Sequence, residues 1–241
     1  MVQGTMRADL YPELFEVEEN HWWHRQKRQV IHQLIKQHCP EPGRVLDVGC
    51  GGGKFLEELK ALGWQTEGVD SVLSQGEKRG LKLKKADLQT EALPYPKKYF
   101  NLVVCLDTLE HMSDDRRLVS QLARLVKPKG FIIISVPAYQ RLFSYWDKML
   151  GHFRRYNHQS LINTIPYNLQ IRFISYYFSF LLPPAVIIRL VKSIFNQRNQ
   201  SDFLVSPNQP IADWLGRAER LWLKHFSIPF GLSLVGIWEK K

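Results

Sequence analysis

Glycines clustered after residue 48 form the most informative chemical pattern in the chain. Gly49, Gly51 and Gly53 follow a short apolar run at 44–48 and precede apolar residues at helical spacing. Because glycine has no side chain, a ligand at such a strand-to-helix turn reaches backbone N–H groups beside the amino end of a helix. The pattern predicts a loop that cradles a cofactor.

An acidic residue downstream narrows the kind of cofactor. Asp70 ends a second predicted strand, where a carboxylate can accept both hydroxyl protons of a ribose. The alternative is that Asp70 only caps a helix. A dinucleotide fingerprint would also place a glycine three positions after Gly51, where this chain has Lys54. The spacing therefore favours a nucleoside cofactor without a pyrophosphate over a nicotinamide dinucleotide.

Histidines supply the candidates for proton transfer. His111 follows the predicted strand 102–106, and His152 opens a short basic segment that ends at residue 156. A neutral imidazole has a pKa suited to removing a hydroxyl proton near neutral pH. We hypothesise that His152 orients or deprotonates an acceptor. The alternative is that both histidines only pack or cap.

The same basic segment supplies candidates for binding the acceptor. Arg154 and Arg155 carry the charge to hold an anionic group, unless they are only a solvated charge pair. Arg25 and Arg28, near the aromatic residues of 21–25, could neutralise a cofactor carboxylate, or the aromatic residues could simply pin a helix. The predicted acceptor-binding residues are Trp23, Arg154, Arg155 and Tyr156.

Strands alternate with helices in the elements that must position these residues. Helical spacing of apolar residues marks 16–38, 55–62 and a helix capped by Ser113, which the residues 127–130 then end. The predicted strands lie at 44–48, 66–69, 102–106 and 131–136. Such alternation implies right-handed crossovers and a mostly parallel sheet with helices on both faces.

Beyond residue 160 the pattern is less regular. A strand is predicted at 169–178, a helix from Pro183 to Phe195, a polar linker at 196–210 and a closing strand at 231–238. Between the last two lies a helical face made of Ile211, Trp214, Leu215, Ala218, Leu221, Trp222 and His225.

Composition limits the function classes. A chain of 241 residues with 44% hydrophobic and 23% charged residues suits one α/β domain rather than a disordered chain. The net charge of +10 favours an anionic partner, which could be nucleic acid, an anionic bilayer or an acidic substrate. The unpaired spacing of Cys39, Cys50 and Cys105 indicates neither disulfides nor a zinc site. Residues 1–20 lack the apolar stretch of a signal peptide, so a cytoplasmic protein is expected. No metal is expected.

Several short motifs together resemble the class I S-adenosylmethionine-dependent methyltransferases. The Leu109-Glu-His111 element is similar to the ubiquinone-biosynthesis and type 11 branches, whereas Asn101 replaces the aspartate usual after the aromatic residue. The motifs occur in the family's order across 44–138: Val45-Leu-Asp-Val-Gly-Cys-Gly-Gly-Gly53, Gly68-Val-Asp70, Ala86-Asp-Leu88, Phe100-Asn-Leu-Val-Val-Cys-Leu-Asp107 and Leu125-Val-Lys-Pro-Lys-Gly130.

The resemblance implies a Rossmann-like α/β fold with seven strands, mostly parallel with an antiparallel final strand, and helices on both faces. We expect an N-terminal helical cap at 1–42 and a catalytic domain at 43–241, with a helical insertion at about 178–226. The implied cofactor is S-adenosyl-L-methionine, with S-adenosyl-L-homocysteine as product. The implied cofactor-binding residues are Asp47, Gly49, Cys50, Gly51, Asp70, Ser71, Asp87, Leu88 and Leu106.

The reaction implied by the resemblance is transfer of a methyl group to oxygen, or less readily to nitrogen or carbon, of a small or lipid-linked acceptor. The alternatives are an RNA methyltransferase and a non-catalytic, membrane-peripheral partner with the same fold. Residues 105–108 lack the Pro-Pro-aromatic element of amino-directed nucleic-acid enzymes, so no stable nucleic acid is expected. Segment 173–195 is expected to pack in the core or to form a dimer contact, and the alternative is that it lies at the inner membrane face. Both monomer and homodimer stay open.

Overall fold

The computed structural model describes residues 18–19, 21–39, 41–73, 79–194 and 209–241, without the side chains of 189–194. The predicted start of the first helix at residue 16, nearly all of the segment 1–20 and most of the linker 196–210 lie outside the described residues.

The seven strands form a single mixed sheet. Its strands run in the order β3-β2-β1-β4-β5-β7-β6. Strands β1 to β5 pair in parallel, and β7 runs antiparallel to both β5 and β6. The predicted fold class is therefore confirmed. The strands are β1 Arg44–Val48, β2 Gln65–Asp70, β3 Lys82–Lys85, β4 Phe100–Leu106, β5 Val126–Pro137, β6 Leu169–Tyr177 and β7 Ser233–Lys240.

Helices cover both faces of this sheet. Successive residues of a strand point to opposite faces, so Val45 packs in the cluster that contains Ile31 of α1, whereas Leu46 packs with Leu118 of α3 on the other face. The helices are α1 Trp22–His38, α2 Lys54–Ala61, α3 Asp115–Leu125, α4 Tyr145–Met149, α5 His158–Ile162, α6 Leu182–Ile194 and α7 Pro210–Leu223. Two apolar cores thus hold the sheet between its helices.

One predicted boundary of α3 is wrong and the other is confirmed. Asp114, and not Ser113, is the N-cap, since its carboxylate accepts a hydrogen bond of 3.0 Å from the backbone N–H of Arg117. Aspartate and serine cap equally well, so the sequence could not choose between neighbours. The helix ends at Leu125, before residues 127–130, as predicted. Those residues belong to β5, which begins at Val126 and not at residue 131. Asn101 lies beside them, and its side-chain oxygen accepts a hydrogen bond of 2.9 Å from Lys127 Nζ.

Helices α6 and α7 lie between β6 and β7 in the chain, where a helical insertion was expected. The division into a cap at 1–42 and a domain at 43–241 stays a prediction. Within the described ranges, no helix has both the length and the hydropathy needed to cross a bilayer.

Helix α7 packs against α1 through Asp213, whose carboxylate accepts hydrogen bonds from Arg25 at 2.8 Å and Gln26 at 2.7 Å.

Glu219 of α7 anchors this helix to the end of β6. Its carboxylate accepts backbone hydrogen bonds from Phe178 at 2.5 Å and Ser179 at 2.7 Å, and the side chain is buried. Replacing Glu219 with alanine should lower the free energy of unfolding by about 2–4 kcal/mol, because buried N–H groups lose their acceptor. Urea unfolding followed by circular dichroism measures this loss. Glu41→Ala, an exposed change, should leave the unfolding midpoint near that of the parent; an equal loss in both variants would contradict the assignment.

Candidate active site

The glycine loop joins β1 to α2 in a backbone conformation that side chains disfavour. Gly49, Gly51 and Gly53 have φ values of +78°, +52° and +78°. A Cβ on Gly49 would lie 2.1 Å from Oγ1 of Thr108, which follows β4. Glycine is therefore required at residue 49 both by its positive φ and by the close approach of another strand end.

Asp70 holds this loop against the end of β2. Its Oδ2 accepts a hydrogen bond of 2.9 Å from the N–H of Gly51, and its Oδ1 accepts one of 3.1 Å from the N–H of Val72 and a longer one, 3.3 Å, from Ser71 Oγ. The structure thus brings together the loop, Asp70 and Ser71, as the sequence predicted. Binding of ribose hydroxyls by this carboxylate stays a prediction.

Asp47 lies buried beneath the loop with an unused hydrogen-bonding atom. It is 3% exposed, and its Oδ1 has no hydrogen-bond partner among the described residues. Burial raises the pKa of Asp47 well above its usual range, and the nearby carboxylates of Glu18 and Asp70 raise it further. A buried acidic oxygen beside other acidic groups suits a ligand that carries positive charge or donates hydrogen bonds.

The remaining predicted cofactor contacts lie at the neighbouring strand ends. Asp87 is exposed, and its carboxylate accepts hydrogen bonds of 2.8 Å from the N–H of Gln89 and from Thr90 Oγ1, within its own turn. Leu88 is buried and Leu106 is half-buried. Adenine binding by these residues stays a prediction, as does a contact from Cys50, whose buried thiol has a raised pKa and is therefore not a reactive thiolate.

Glu18 is a site residue that the sequence analysis missed. Its Oε2 accepts a hydrogen bond of 2.9 Å from the N–H of Gly52, and its backbone oxygen accepts one from Arg28. Burial raises the pKa of this carboxyl group. The segment that precedes α1 therefore reaches the glycine loop, through a contact that no local pattern could have indicated.

Lys27 is the second missed residue. It is buried on α1 and forms an ion pair with Asp107, the residue after β4. Burial lowers the pKa of Lys27 to about 8, despite the nearby carboxylates of Glu110 and Glu18. Asp107 itself has a φ of +48°, a strained backbone at the carboxyl edge of the sheet. The run of polar residues at 24–29, between aromatic and aliphatic residues of the same helix, was the available signal.

Other polar residues of α1 have partners away from the loop. Arg25 pairs with Asp213 at 2.8 Å, and Arg28 Nε donates to Glu58 at 2.9 Å, so neither cation is free to meet a cofactor carboxylate. Trp23 stacks on Phe178 with ring centroids 4.0 Å apart. That stacking places Trp23 against the insertion; acceptor binding by its ring stays a prediction.

The two predicted catalytic histidines come together although they are far apart in the chain. The rings of His111 and His152 meet edge to face with centroids 4.7 Å apart. Asp147, which is 1% exposed, lies 2.9 Å from His152 Nδ1 and accepts a hydrogen bond of 2.7 Å from Arg155 Nε. Burial opposes ionisation of Asp147, but hydrogen bonds from His152 and Arg155 hold its pKa well below its usual range.

The ionised Asp147 fixes the orientation of His152. In the neutral form of an imidazole, a carboxylate on Nδ1 selects the tautomer with a proton there, which leaves the lone pair on Nε2. On that side Glu110 Oε1 lies 4.0 Å from Nε2. Asp147, like Glu18 and Lys27, was not among the predicted residues. Its place five residues before His152 was the available signal.

Glu110 completes this cluster as a buried acid. It is 1% exposed, its Oε2 has no partner within the described part of the chain, and burial raises its pKa to about 8. Burial and the neighbouring His152 lower the pKa of His111 to about 3. Glu110 is therefore largely protonated and His111 neutral at pH 7. The sequence predicted no metal site, yet one ligating atom each from Glu110, His111 and His152 lies within 4.8 Å of the others.

The remaining predicted acceptor residues have protein partners. Arg154 forms an ion pair of 3.0 Å with Asp115, and Arg155 is engaged by Asp147. Tyr156 is 2% exposed and donates a hydrogen bond of 2.9 Å to Asp115. An anionic acceptor would have to compete with these ion pairs. Acceptor binding by Arg154, Arg155 and Tyr156 therefore stays a prediction, and the alternative is that these residues only stabilise the fold through Asp115 and Asp147.

Known proteins resemble this chain in sequence over the part that carries the motifs. The family model described as a methyltransferase domain matches residues 20–166. The ubiquinone biosynthesis O-methyltransferase of Albidiferax ferrireducens is 33% identical in an alignment of 134 residues that covers 47% of this chain and 52% of that protein. The chain thus spans about half the length of the curated relatives it matches.

Solved structures resemble it along almost its whole length. A methyltransferase solved in complex with the Haloferax volcanii Trm112 activator has a TM-score of 0.62 at 16% identity, covering 96% of each chain. The N-methyltransferase NodS from Bradyrhizobium japonicum, in complex with S-adenosyl-L-homocysteine, has a TM-score of 0.57 at 12% identity, covering 92% of this chain and 90% of NodS. Identities this low show the fold alone.

The residues of the loop fit the cofactor of this family. S-adenosylmethionine combines an adenosine with a positively charged sulfonium and an ammonium group. The side-chain-free loop at Gly49 and Gly51 leaves room for it, the unpartnered Oδ1 of Asp47 suits its positive charge, and Asp70 lies at the adjoining strand end. Sequence match, sheet order and site chemistry agree: the chain belongs to the methyltransferase-domain family, among the class I S-adenosylmethionine-dependent methyltransferases.

Proposed function

We propose that this protein transfers a methyl group from S-adenosylmethionine to an oxygen atom of a small or lipid-linked acceptor. The observation that carries the proposal is the pair of Asp147 and His152 beside Glu110, which follows β4. An oriented neutral histidine is suited to removing a hydroxyl proton. The relatives named ubiquinone biosynthesis O-methyltransferases support the same class of acceptor atom.

The loop residues would hold the cofactor. Backbone N–H groups of the glycine loop, the carboxylate of Asp70 and the buried Asp47 are its proposed contacts. When bound, the cofactor supplies an electrophilic methyl carbon on a sulfonium sulfur. The protein chiefly holds the acceptor in line and excludes water. The ion pair of Lys27 with Asp107 fastens α1 over the carboxyl edge of the sheet, which serves that exclusion.

His152 is the proposed base. Its Nε2 would accept the proton of the acceptor hydroxyl as that oxygen takes the methyl group, whose bond to sulfur would break to leave neutral S-adenosylhomocysteine, and Asp147 would stabilise the resulting imidazolium. Arg155 shares Asp147 and keeps that carboxylate in place. Glu110 and His111 line the same cluster, where a protonated carboxyl group and a neutral imidazole add no net charge.

Transfer of label tests this proposal. Purified protein is incubated with methyl-labelled S-adenosylmethionine and, separately, with lipid and water-soluble extracts of cells that lack the gene. We expect label in a product whose methyl group is bonded to oxygen by NMR, and far less label in the same time with His152→Ala. Label only on nitrogen or carbon would refute O-methylation, and no label with intact binding of S-adenosylhomocysteine would refute the acceptor class.

A further inference from the structure

Helix α7 and the turn after it expose an unusual amount of apolar surface. The exposed fractions are 74% for Ile211, 67% for Trp214, 60% for Leu221, 58% for Trp222, 59% for Phe226 and 50% for Phe230. The rings of Trp222 and Phe226 contact each other, with centroids 5.2 Å apart. We call these six residues the α7 stripe. Such a cluster of large side chains in solvent is costly unless another surface covers it.

The α7 stripe lies on the side of the helix that faces away from the protein. The buried residues Gly216, Glu219 and Leu223 form the opposite face, where Glu219 binds the backbone after β6. An amphipathic helix at a protein surface normally turns its apolar face to the core. Here the polar contacts point inward and the apolar residues outward, so the stripe faces away from the part of the chain that the structure describes.

The charges around the α7 stripe are positive. Both acidic residues of the helix are engaged inward, Asp213 by Arg25 and Glu219 by backbone N–H groups. Arg217 and Lys224 are exposed, and at 3.6 residues per turn they lie along one border of the stripe. With a net charge of +10 on the whole chain, the surface complements an anionic one.

We propose that the α7 stripe docks the protein on an anionic lipid bilayer. Trp214, Trp222 and Phe226 enter the interface between headgroups and acyl chains, while Arg217 and Lys224 contact lipid phosphates. Aromatic side chains beside basic residues are typical of helices that lie in this interface. The bilayer is a better occupant than a protein partner because the same surface combines large exposed apolar side chains with basic residues.

The position of α7 links this surface to the site. Its inner side holds α1 through Asp213, and Phe178, bound by Glu219, stacks on Trp23. When α7 lies on the bilayer, helix α1, which packs against the inner side of α7, is therefore about one helix diameter, ~10 Å, from the lipid. This inference rests on the proposed function and deepens it: the acceptor is a lipid-linked molecule that enters from the bilayer surface.

The docking surface differs from the segment that the sequence suggested. Residues 173–195 were predicted to pack in the core or at a dimer contact, with the inner membrane face as the alternative, and 173–177 belong to β6 of the sheet. There Tyr176 and Tyr177 are buried. The core thus explains the apolar character of 175–178, whereas Ile187 and Ile188 on α6 are 60% and 46% exposed, so a membrane contact through the rest of that segment stays a prediction.

Vesicle flotation tests the proposal. The full chain is mixed with vesicles of phosphatidylcholine alone or of equal parts phosphatidylcholine and phosphatidylglycerol. We expect at least ~10-fold more protein on the anionic vesicles, in line with the contribution of basic residues near such surfaces. Trp214→Ser with Trp222→Ser, and separately Arg217→Glu with Lys224→Glu, should each remove most of this binding. Leu62→Ser, which removes a leucine that is 60% exposed elsewhere, is the matched control and should float like the parent.

Two further measurements separate the outcomes. Calorimetry with S-adenosylhomocysteine should give the same affinity for the parent and the tryptophan variant, which shows that the variant is folded. Light scattering should give the same mass for both. Absence of flotation, or a dimer that the tryptophan variant dissociates, would overturn the proposal. Flotation without S-adenosylhomocysteine binding would instead refute the proposed function and leave the lipid surface standing.

Discussion

Replacing Gly49 with alanine should weaken binding of S-adenosylhomocysteine at least ~100-fold, as measured by calorimetry. The residue has a φ of +78°, where an L side chain costs about 1–2 kcal/mol. Its Cβ would also lie 2.1 Å from Thr108 Oγ1, which forces the loop away from the end of β4 at a further cost of about 1–3 kcal/mol. Because the loop holds the proposed cofactor contacts, its displacement lowers the affinity for S-adenosylhomocysteine.

A matched glycine separates backbone strain from loss of the site. Gly80 also has a positive φ, +63°, but a Cβ there would have nothing within 4 Å. Gly80→Ala should therefore lower stability slightly and leave the affinity unchanged. If Gly49→Ala does not fold, Gly51→Ala is the milder test, since its Cβ would meet only Glu18 Oε2 at 3.3 Å. Parent-like affinity in a folded Gly49→Ala variant would refute the loop as the cofactor cradle.

The sheet could be predicted from the sequence because its signals are local. The strand 44–48 was predicted with the bounds that the structure shows, since a continuous apolar run ends there at glycines. Parallel strands joined by helices must also place their carboxyl ends along one edge. That rule alone brings the glycine loop, Asp70 and the residues after β4 together.

The rest of the site depends on contacts between distant parts of the chain. Lys27 reaches Asp107, and Glu18 reaches Gly52, only because α1 packs across the sheet edge. Arg154 was a candidate for binding an anion because its partner Asp115 is far away in the sequence. Spacing within one segment contains no information about such pairs.

Helix α7 shows a different limit of sequence reasoning. Its apolar residues have helical spacing, which predicts a helix but not the direction in which the apolar face points. The polar residues Asp213 and Glu219 find buried partners on the protein side. These directional bonds, rather than hydrophobicity, orient the helix, so the face that periodicity would assign to the core is exposed.

The Asp147 and His152 pair carries the largest expected effect on the chemical step. With the acceptor found by label transfer, His152→Ala should lower the single-turnover rate by about 10²–10⁴-fold, the usual contribution of a positioned base. Binding of S-adenosylhomocysteine should be unchanged, since His152 contacts Asp147 and the ring of His111 rather than the glycine loop. His158→Ala is the control, because that ring stacks on Tyr176 away from the cluster.

Asp147→Asn then distinguishes a base from a merely structural histidine. An amide can present its NH₂ group to Nδ1 and so favour the tautomer that puts the proton on Nε2, which cannot accept one from the acceptor. The variant keeps the size of the side chain, so we expect a fall in rate of about 10²-fold or more with an unchanged acceptor KM. Assays in EDTA exclude a contribution from metal bound by the cluster. A parent-like rate in folded Asp147→Asn and His152→Ala would mean that the acceptor loses its proton without this pair, and methyl transfer would then depend on alignment alone.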